Sequence, residues 1–139
     1  MQGLSPDEFQ QLLAFRVALR GFLRWSEDRA RTAGLTPAQH QLLLAIIGHD
    51  DARGPTIGQV ADYLLLRHHS VVELAARAEN AGLVERTADP GDHRLVRLVL
   101  TENGRARIEA LSELHLQELR RLAPIFEHLG APESVAPAP

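Results

Sequence analysis

Apolar residues between Val60 and Val84 fall into two stripes at helical spacing, Val60, Ala61 and Leu64 in the first and Val71, Leu74, Ala75 and Ala78 in the second. Leu65, Leu66 and Arg67 separate the stripes, and Gly82 stops the second helix. The pattern predicts two helices joined by a tight turn, with Arg67, His68, His69, Ser70, Glu73 and Arg77 turned away from the core. Most of these lie near the start of the second helix, where side chains and free amides can meet phosphates and base edges. An ordinary helical hairpin in a small bundle would show the same stripes, so the residues beyond Gly82 have to decide between the two.

Leu83 to Thr87 and Leu95 to Leu100 read as two short strands around a polar loop from Ala88 to Arg94. Val96, Leu98 and Leu100 alternate with Arg97 and Val99, which predicts one core face and one more exposed face. Pro90 and Gly91 suit the central positions of a type II turn. Two strands and a polar loop make a wing, and a β-ribbon after a recognition helix can place a loop-tip arginine in the adjacent minor groove. Arg94 is the candidate.

Before this module, Ser5-Pro6-Asp7-Glu8 forms a capping box for a helix running to about Ala33. Phe9, Leu12, Leu13, Val17 and Leu23 cover one side of it, and Phe15, Leu19 and Phe22 a neighbouring sector. One small domain cannot bury both, so the helix is expected to pack on its own core and on a second chain. Arg16 and Arg20 fall inside the first face and call for partners, with Glu113 or Glu118 as candidates. Thr36 to Gln39 opens a short helix to Ile47, ended by Gly48, with Leu42, Leu43 and Ile46 inward. After the polar loop His49 to Pro55, Thr56 with Gln59 caps the next helix, whose first amides are a candidate phosphate site. Thr101 caps a long helix carrying Ile108, Leu111, Leu119 and Leu122, followed by Pro124 and a short segment from Ile125 to Leu129. Ala131 to Pro139, rich in proline and alanine, is expected to be a mobile tail.

Val60 to Val84 aligns without gaps on the helix-turn-helix of the MarR family of winged-helix transcriptional regulators. Asp89-Pro90-Gly91-Asp92-His93-Arg94, then Leu98-Val99-Leu100-Thr101-Glu102-Asn103-Gly104, resembles that family's wing and the start of its next helix. The resemblance covers about Ser5 to Leu129. It implies a mainly α fold with a small β-wing, one domain over 1–139. Within it, 36–104 form the winged helix-turn-helix, 5–33 and 105–129 the dimerisation helices, and 130–139 a flexible tail. It also implies homodimers whose recognition helices enter consecutive major grooves of double-stranded DNA. On that pattern Ser70 meets phosphate, Asp92 helps hold the wing loop, Arg94 reaches the minor groove, and Arg77 can pair with the wing aspartate. Three departures stand out. Leu65 replaces the frequent turn glycine, Arg67-His68-His69 replaces a more usual small polar and basic run, and Glu73 occupies a position often polar or basic, where it either accepts from cytosine N4 or only discourages wrong contacts.

The resemblance further implies an effector pocket between the dimer helices and the reading module. Arg16, Arg20, Trp25 and His40 are its candidate lining, since an arginine beside an aromatic wall suits a small aromatic or phenolic effector. Trp25 equally fits a core position and His40 a structural one.

Composition narrows the setting. The chain of 139 residues, 45% hydrophobic, fits one domain with an ample core. No stretch approaches the ~20 apolar residues of a membrane span. The start, Met1-Gln2-Gly3-Leu4, lacks the basic region and apolar run of a secretory signal, so a cytoplasmic protein is expected. Cysteine is absent, which excludes thiol-based sensing. No cofactor or metal is expected: HExxH, GxSxG, a P-loop and a glycine-rich nucleotide fingerprint are all missing, and adjacent His68 and His69 point about 100° apart on a helix, poorly placed to chelate. An enzyme is therefore not expected.

Charge argues the other way. The net charge is -3, and between Thr56 and Gly104 five arginines face seven carboxylates, whereas a DNA-binding domain is usually basic. His68, His69 and His93 lie in that segment and can take up protons beside phosphate. All fifteen Lys-plus-Arg positions are arginine, which favours bidentate contacts to guanine and phosphate, although genomic composition bias would produce the same count. Against that charge balance, the family resemblance implies a homodimeric DNA-binding repressor, or less often activator, of a pseudo-palindromic operator, released by a small molecule. A winged-helix module used only for protein interaction is the alternative.

Overall fold

The computed structural model describes residues 3–127. Helices α1 (Pro6–Thr32), α2 (Pro37–Gly48), α3 (Ile57–Leu64) and α4 (His68–Asn80) are followed by strands β1 (Val84–Ala88) and β2 (Val96–Leu100) and by helix α5 (Glu102–Glu127). This is a mainly helical fold with a two-stranded antiparallel wing, as the apolar spacing predicts. The strands pair Val84 with Leu100 and Ala88 with Val96.

Three helices start on the capping boxes read from the sequence. Ser5 and Glu8, Thr36 and Gln39, and Thr56 and Gln59 each exchange side-chain and backbone hydrogen bonds of 2.9 to 3.2 Å. Such caps satisfy donors that a helix start leaves orphaned. The ends are less uniform. Gly82 takes a left-handed conformation after α4, as expected of a stop residue, but Gly48 remains helical and α2 ends at an extended His49. Pro124 lies inside α5 rather than before a separate segment. The residues from 128 onward, including the expected end of that segment and the tail, lie outside the described residues.

The chain divides into two compact units. Residues 27–112 form the first, around a core in which Leu42, Leu43, Val60, Val71, Leu98 and Ile108 are fully enclosed. The inward stripe of α4 is Val71, Leu74, Ala75 and Ala78, all buried. In α3, Val60 and Ala61 are buried and Leu64 packs partly against them. A link from Leu98 N–H to the Pro55 carbonyl, 2.9 Å, and a bridge between Thr56 and Arg97 tie the start of α3 to the wing.

The second unit is built from residues 1–26 and 113–139, of which 3–26 and 113–127 are described. In it Phe15 meets Phe126 edge-on, ring centres 5.8 Å apart, and Leu122 is buried. Phe9, Leu12, Leu13, Val17 and Leu23, the first apolar side of α1, are each at least half exposed in the single chain. The sector with Phe15, Leu19 and Phe22 is half-buried instead. The expected partners of Arg16 and Arg20 are not in place. Both arginines are exposed, and Glu118 is taken by Arg121 at 2.6 Å, a near neighbour on its own helix.

Candidate nucleic-acid interface

The turn between α3 and α4 is set by Leu65, the one non-glycine residue with positive φ among those described (φ 55, ψ 43). A branched side chain at this conformation is strained, by about 1–2 kcal/mol relative to glycine. Leu65 therefore adopts the left-handed conformation that usually calls for glycine. Its side chain projects into solvent, 91% exposed.

Helix α4 differs from the three helices with capping boxes in that its N-cap, Arg67, makes no side-chain cap. Arg67, His68 and His69 are exposed around that start, and Ser70 is half-buried beside them. The Ser70 and Val71 amides already donate to the Arg67 carbonyl, at 3.1 and 3.2 Å, so this helix start offers phosphate or base edges its cationic and imidazole side chains and the amides ahead of Ser70. By contrast, the first turn of α3 is partly occupied: Thr56 Oγ1 accepts the Gln59 N–H, and Thr56 N–H donates to Gln59. Thr56 itself is half-buried.

Four of the five arginines between Thr56 and Gly104 are matched to carboxylates. Arg77 pairs with Glu73 one turn back on α4 at 3.8 Å, Arg86 with Glu79 at 3.0 Å, Arg94 with Asp92 at 3.1 Å, and Arg97 with Asp89 at 2.7 Å. The Arg77 contact corrects the expected pairing with the wing aspartate: Asp92 is held by Arg94 instead. Arg67 makes no ion pair with any described residue and stands exposed at the head of α4. Pairing is one to one, so the acidic excess persists in Asp62, Glu85 and Glu102, and Arg67 is the arginine left outside the pairs, at the head of α4.

The wing loop is shaped by Asp89 rather than by a type II turn. Gly91 lacks positive φ, and the Asp89 carboxylate accepts the Gly91 and Asp92 amides at 3.0 and 2.9 Å. The Leu95 N–H then closes back on the Asp92 carbonyl at 3.0 Å. At the tip, the Asp92 carboxylate accepts both the Arg94 N–H and its Nε, while the Arg94 side chain stays 91% exposed. His93 is exposed beside it.

Arg97 also overturns a sequence expectation. Alternation assigned it to the open face of β2, yet it is 9% exposed. Its Nε donates to Asp89 and its second nitrogen to the Gly54 carbonyl, at 2.7 and 2.9 Å. The guanidinium hydrogen bond holds the Asp89 carboxyl below the usual carboxylate range. Gly54 has φ +88, and a Cβ there would run into the Leu98 carbonyl. Arg53 completes the cluster, 2.7 Å from Asp51 and 3.8 Å from Asp89. None of Asp51, Arg53, Gly54, Asp89 and Arg97 stood out as a site residue in the sequence; the glycine before Pro55 was the available signal.

The effector candidates are not gathered in one unit. Arg16, Arg20 and Trp25 belong to the helical unit and His40 to the other, where it is buried. Trp25 packs against Phe22 and His115, with 4.8 Å between its ring centre and that of His115. His115 Nε2 lies 2.6 Å from Ser26 Oγ, a pair not anticipated from sequence. An open hollow of about 320 Å³ between α2 and α3 is lined by Gln41, Leu44, Ala45, Gly48, Tyr63 and Leu64, none of them among the four candidates. Among the described residues there is no group of acidic, histidine or cysteine side chains able to hold a metal, and no helix long and apolar enough to cross a membrane.

Comparison with known proteins agrees with this geometry. A profile described as the MarR family matches residues 33–95. The uncharacterized protein Rv2011c of Mycobacterium tuberculosis is 35% identical over 118 residues, 84% of this chain and 80% of its own length. Among solved structures, AbsC, a MarR family transcriptional regulator from Streptomyces coelicolor, superposes with TM-score 0.72 at 24% identity, over 96% of this chain and 87% of that one. A MepR mutant from S. aureus, bound to an oligodeoxyribonucleotide, does so with TM-score 0.65 at 22% identity, over 79% of each chain. With its helix pair, its wing and a relative of this identity over most of both lengths, the chain belongs to the MarR family of winged-helix transcriptional regulators.

Proposed function

We propose that the protein acts in the cytoplasm as a homodimeric repressor that binds double-stranded DNA at a pseudo-palindromic operator and is released by a small aromatic or phenolic molecule. In this mechanism the N-terminal turn of α4 enters the major groove, with Arg67 and Ser70 on phosphate and His68, His69 and Glu73 facing base edges. Arg77 neutralises Glu73, and Thr56 lies at the start of the supporting helix. Asp92 and His93 shape the wing tip from which Arg94 reaches the minor groove. Paired half-sites would lie about 34–36 Å apart, one helical turn.

The observation that carries this reading is the exposed, uncapped start of α4 with its unpaired Arg67, on the same unit as a wing whose arginine is 91% exposed. MepR bound to an oligodeoxyribonucleotide supports the same class of partner here. The dimer rests on the exposed apolar side of α1, where Phe9, Leu13 and Val17 are each 58 to 62% exposed. Surface of this kind is rarely left open to water on a monomer. The effector rests on the aromatic cluster of Trp25, Phe22 and His115 with Arg16 and Arg20 exposed on the same helix.

Selection from a random duplex pool at two salt concentrations tests it. An enriched inverted repeat is expected. Salt-sensitive binding without enrichment would replace the operator by an architectural role, and absence of binding would favour a protein-interaction module, which the acidic balance of residues 56–104 also suits.

A further inference from the structure

The wing tip hangs from a chain of contacts that begins outside the wing. Arg97 on β2 spans from the Gly54 carbonyl, in the connection between α2 and α3, to the Asp89 carboxylate. The other oxygen of that carboxylate takes the Gly91 and Asp92 amides. Asp92 in turn takes the Arg94 backbone N–H and Nε. The inner half of this chain is dry: the Arg97 and Asp89 side chains are 11% and 8% exposed. The outer half is open, with Arg94 in solvent.

A buried ion pair of this kind is not a cheap way to stabilise a fold. Desolvation of two charges offsets most of their attraction, and apolar residues of similar size often serve stability as well. What the pair gives that apolar residues cannot is direction. Two Asp89 oxygens accept donors from both sides and fix the path of the loop, while the arginine fork fixes Asp89. Gly54 is required for the approach, because any side chain there would collide with β2. Arg53, close to both Asp51 and Asp89, adds a second cation to the same carboxylate.

We propose that Arg97, Asp89 and Gly54 are positioning residues for DNA binding, a buried clamp that presents Arg94 to the minor groove in a fixed pose without touching DNA itself. The clamp rests on the proposed DNA-binding function. Preordering the loop removes an entropy cost that a free wing would meet on every encounter. Loss of the clamp should therefore abolish what Arg94 contributes, while leaving the contacts of α4 intact.

The test is a double-mutant cycle on the selected duplex, with Arg94→Ala, Arg97→Met and the double variant, the folded fraction of each being checked by urea denaturation. Arg94→Ala should weaken binding about tenfold in the parent but less than about twofold in the Arg97→Met background. Losses that multiply in the double variant would overturn the clamp. If Arg97→Met lowers stability too far, Arg97→Lys takes its place, keeping charge while losing the fork that reaches both Asp89 and Gly54. Amide hydrogen exchange without DNA provides a separate readout: Gly91 and Asp92 should exchange faster in Arg97→Met, and unchanged exchange there overturns the clamp even where the parent binds no duplex. Absence of duplex binding by the parent, with the exchange change present, would instead count against the regulator reading alone.

Discussion

Gly104 lies against the carbonyl of Leu83 so closely that a Cβ at position 104 would overlap it. Thr101 locks the same junction. Its N–H donates to the Leu83 carbonyl at 3.1 Å, its hydroxyl donates to the Gly82 carbonyl at 2.6 Å, and the Thr101 Oγ1 itself accepts the Gly104 N–H at 3.0 Å. The Leu-Thr-x-x-Gly run after the wing is therefore a joint that fastens the first turn of α5 onto the end of α4. Gly104→Ala should lower stability by about 1–3 kcal/mol through this overlap. Urea denaturation measures it, and an unchanged midpoint would mean that the joint yields at no cost.

Leu65 leads to a prediction of opposite sign. Its left-handed backbone is strained, and its exposed side chain offers little packing in return. Leu65→Gly should relieve the strain and lose part of the gain to unfolded-state entropy, leaving roughly 0.5–1 kcal/mol of added stability. A rise in the urea midpoint with unchanged DNA affinity is expected. A fall would show that the leucine side chain contributes contacts of its own.

How much of the fold and the interface was legible in the sequence differs from element to element. The stripes of α3 and α4 could be read because a helix facing one core repeats its apolar residues with a single period, and Val60, Val71, Leu74 and Ala75 obey it. Capping boxes were legible because their partners lie three residues apart. Arg97 could not be read. An arginine between Val96 and Leu98 looks like a solvent-facing strand residue until the fold brings it to Asp89 and to Gly54, which lies 43 positions upstream. The Arg77 partner was misplaced for a related reason: a carboxylate one helical turn back, Glu73, competes locally with any in the wing. Leu65 shows that a left-handed turn position need not be a glycine in the sequence.

The Asp89 carboxyl sets an acid dependence. Its folded pKa lies below its unfolded value because Arg97 stabilises the ionised form. The unfolded chain therefore binds more protons in the acid range, and the pair's contribution is complete above the ordinary carboxylate pKa of about 3.9. It fades as pH falls through that value toward the lower folded one. Asp89→Asn should accordingly lose stability at neutral pH and show a shallower decline than the parent between about pH 4 and 2. Denaturation midpoints across that window measure it, and parallel declines would mean that the pair is already broken in acid or carries no linkage.

Contacts at the head of α4 separate by type. Arg67, exposed and outside the internal pairing, suits phosphate, which is the same in every sequence. Arg67→Ala should weaken binding about equally on all duplexes and reduce the salt dependence by about one ion. His69 sits one residue into the helix, exposed and facing base edges in the proposed docking, so His69→Ala should change the ranking of half-site sequences and alter the salt slope little. Competition binding on a panel of single-base operator variants at two salt concentrations distinguishes the two. A uniform loss for His69→Ala would move it to the phosphate backbone, and a reordered ranking for Arg67→Ala would bring that arginine into the groove.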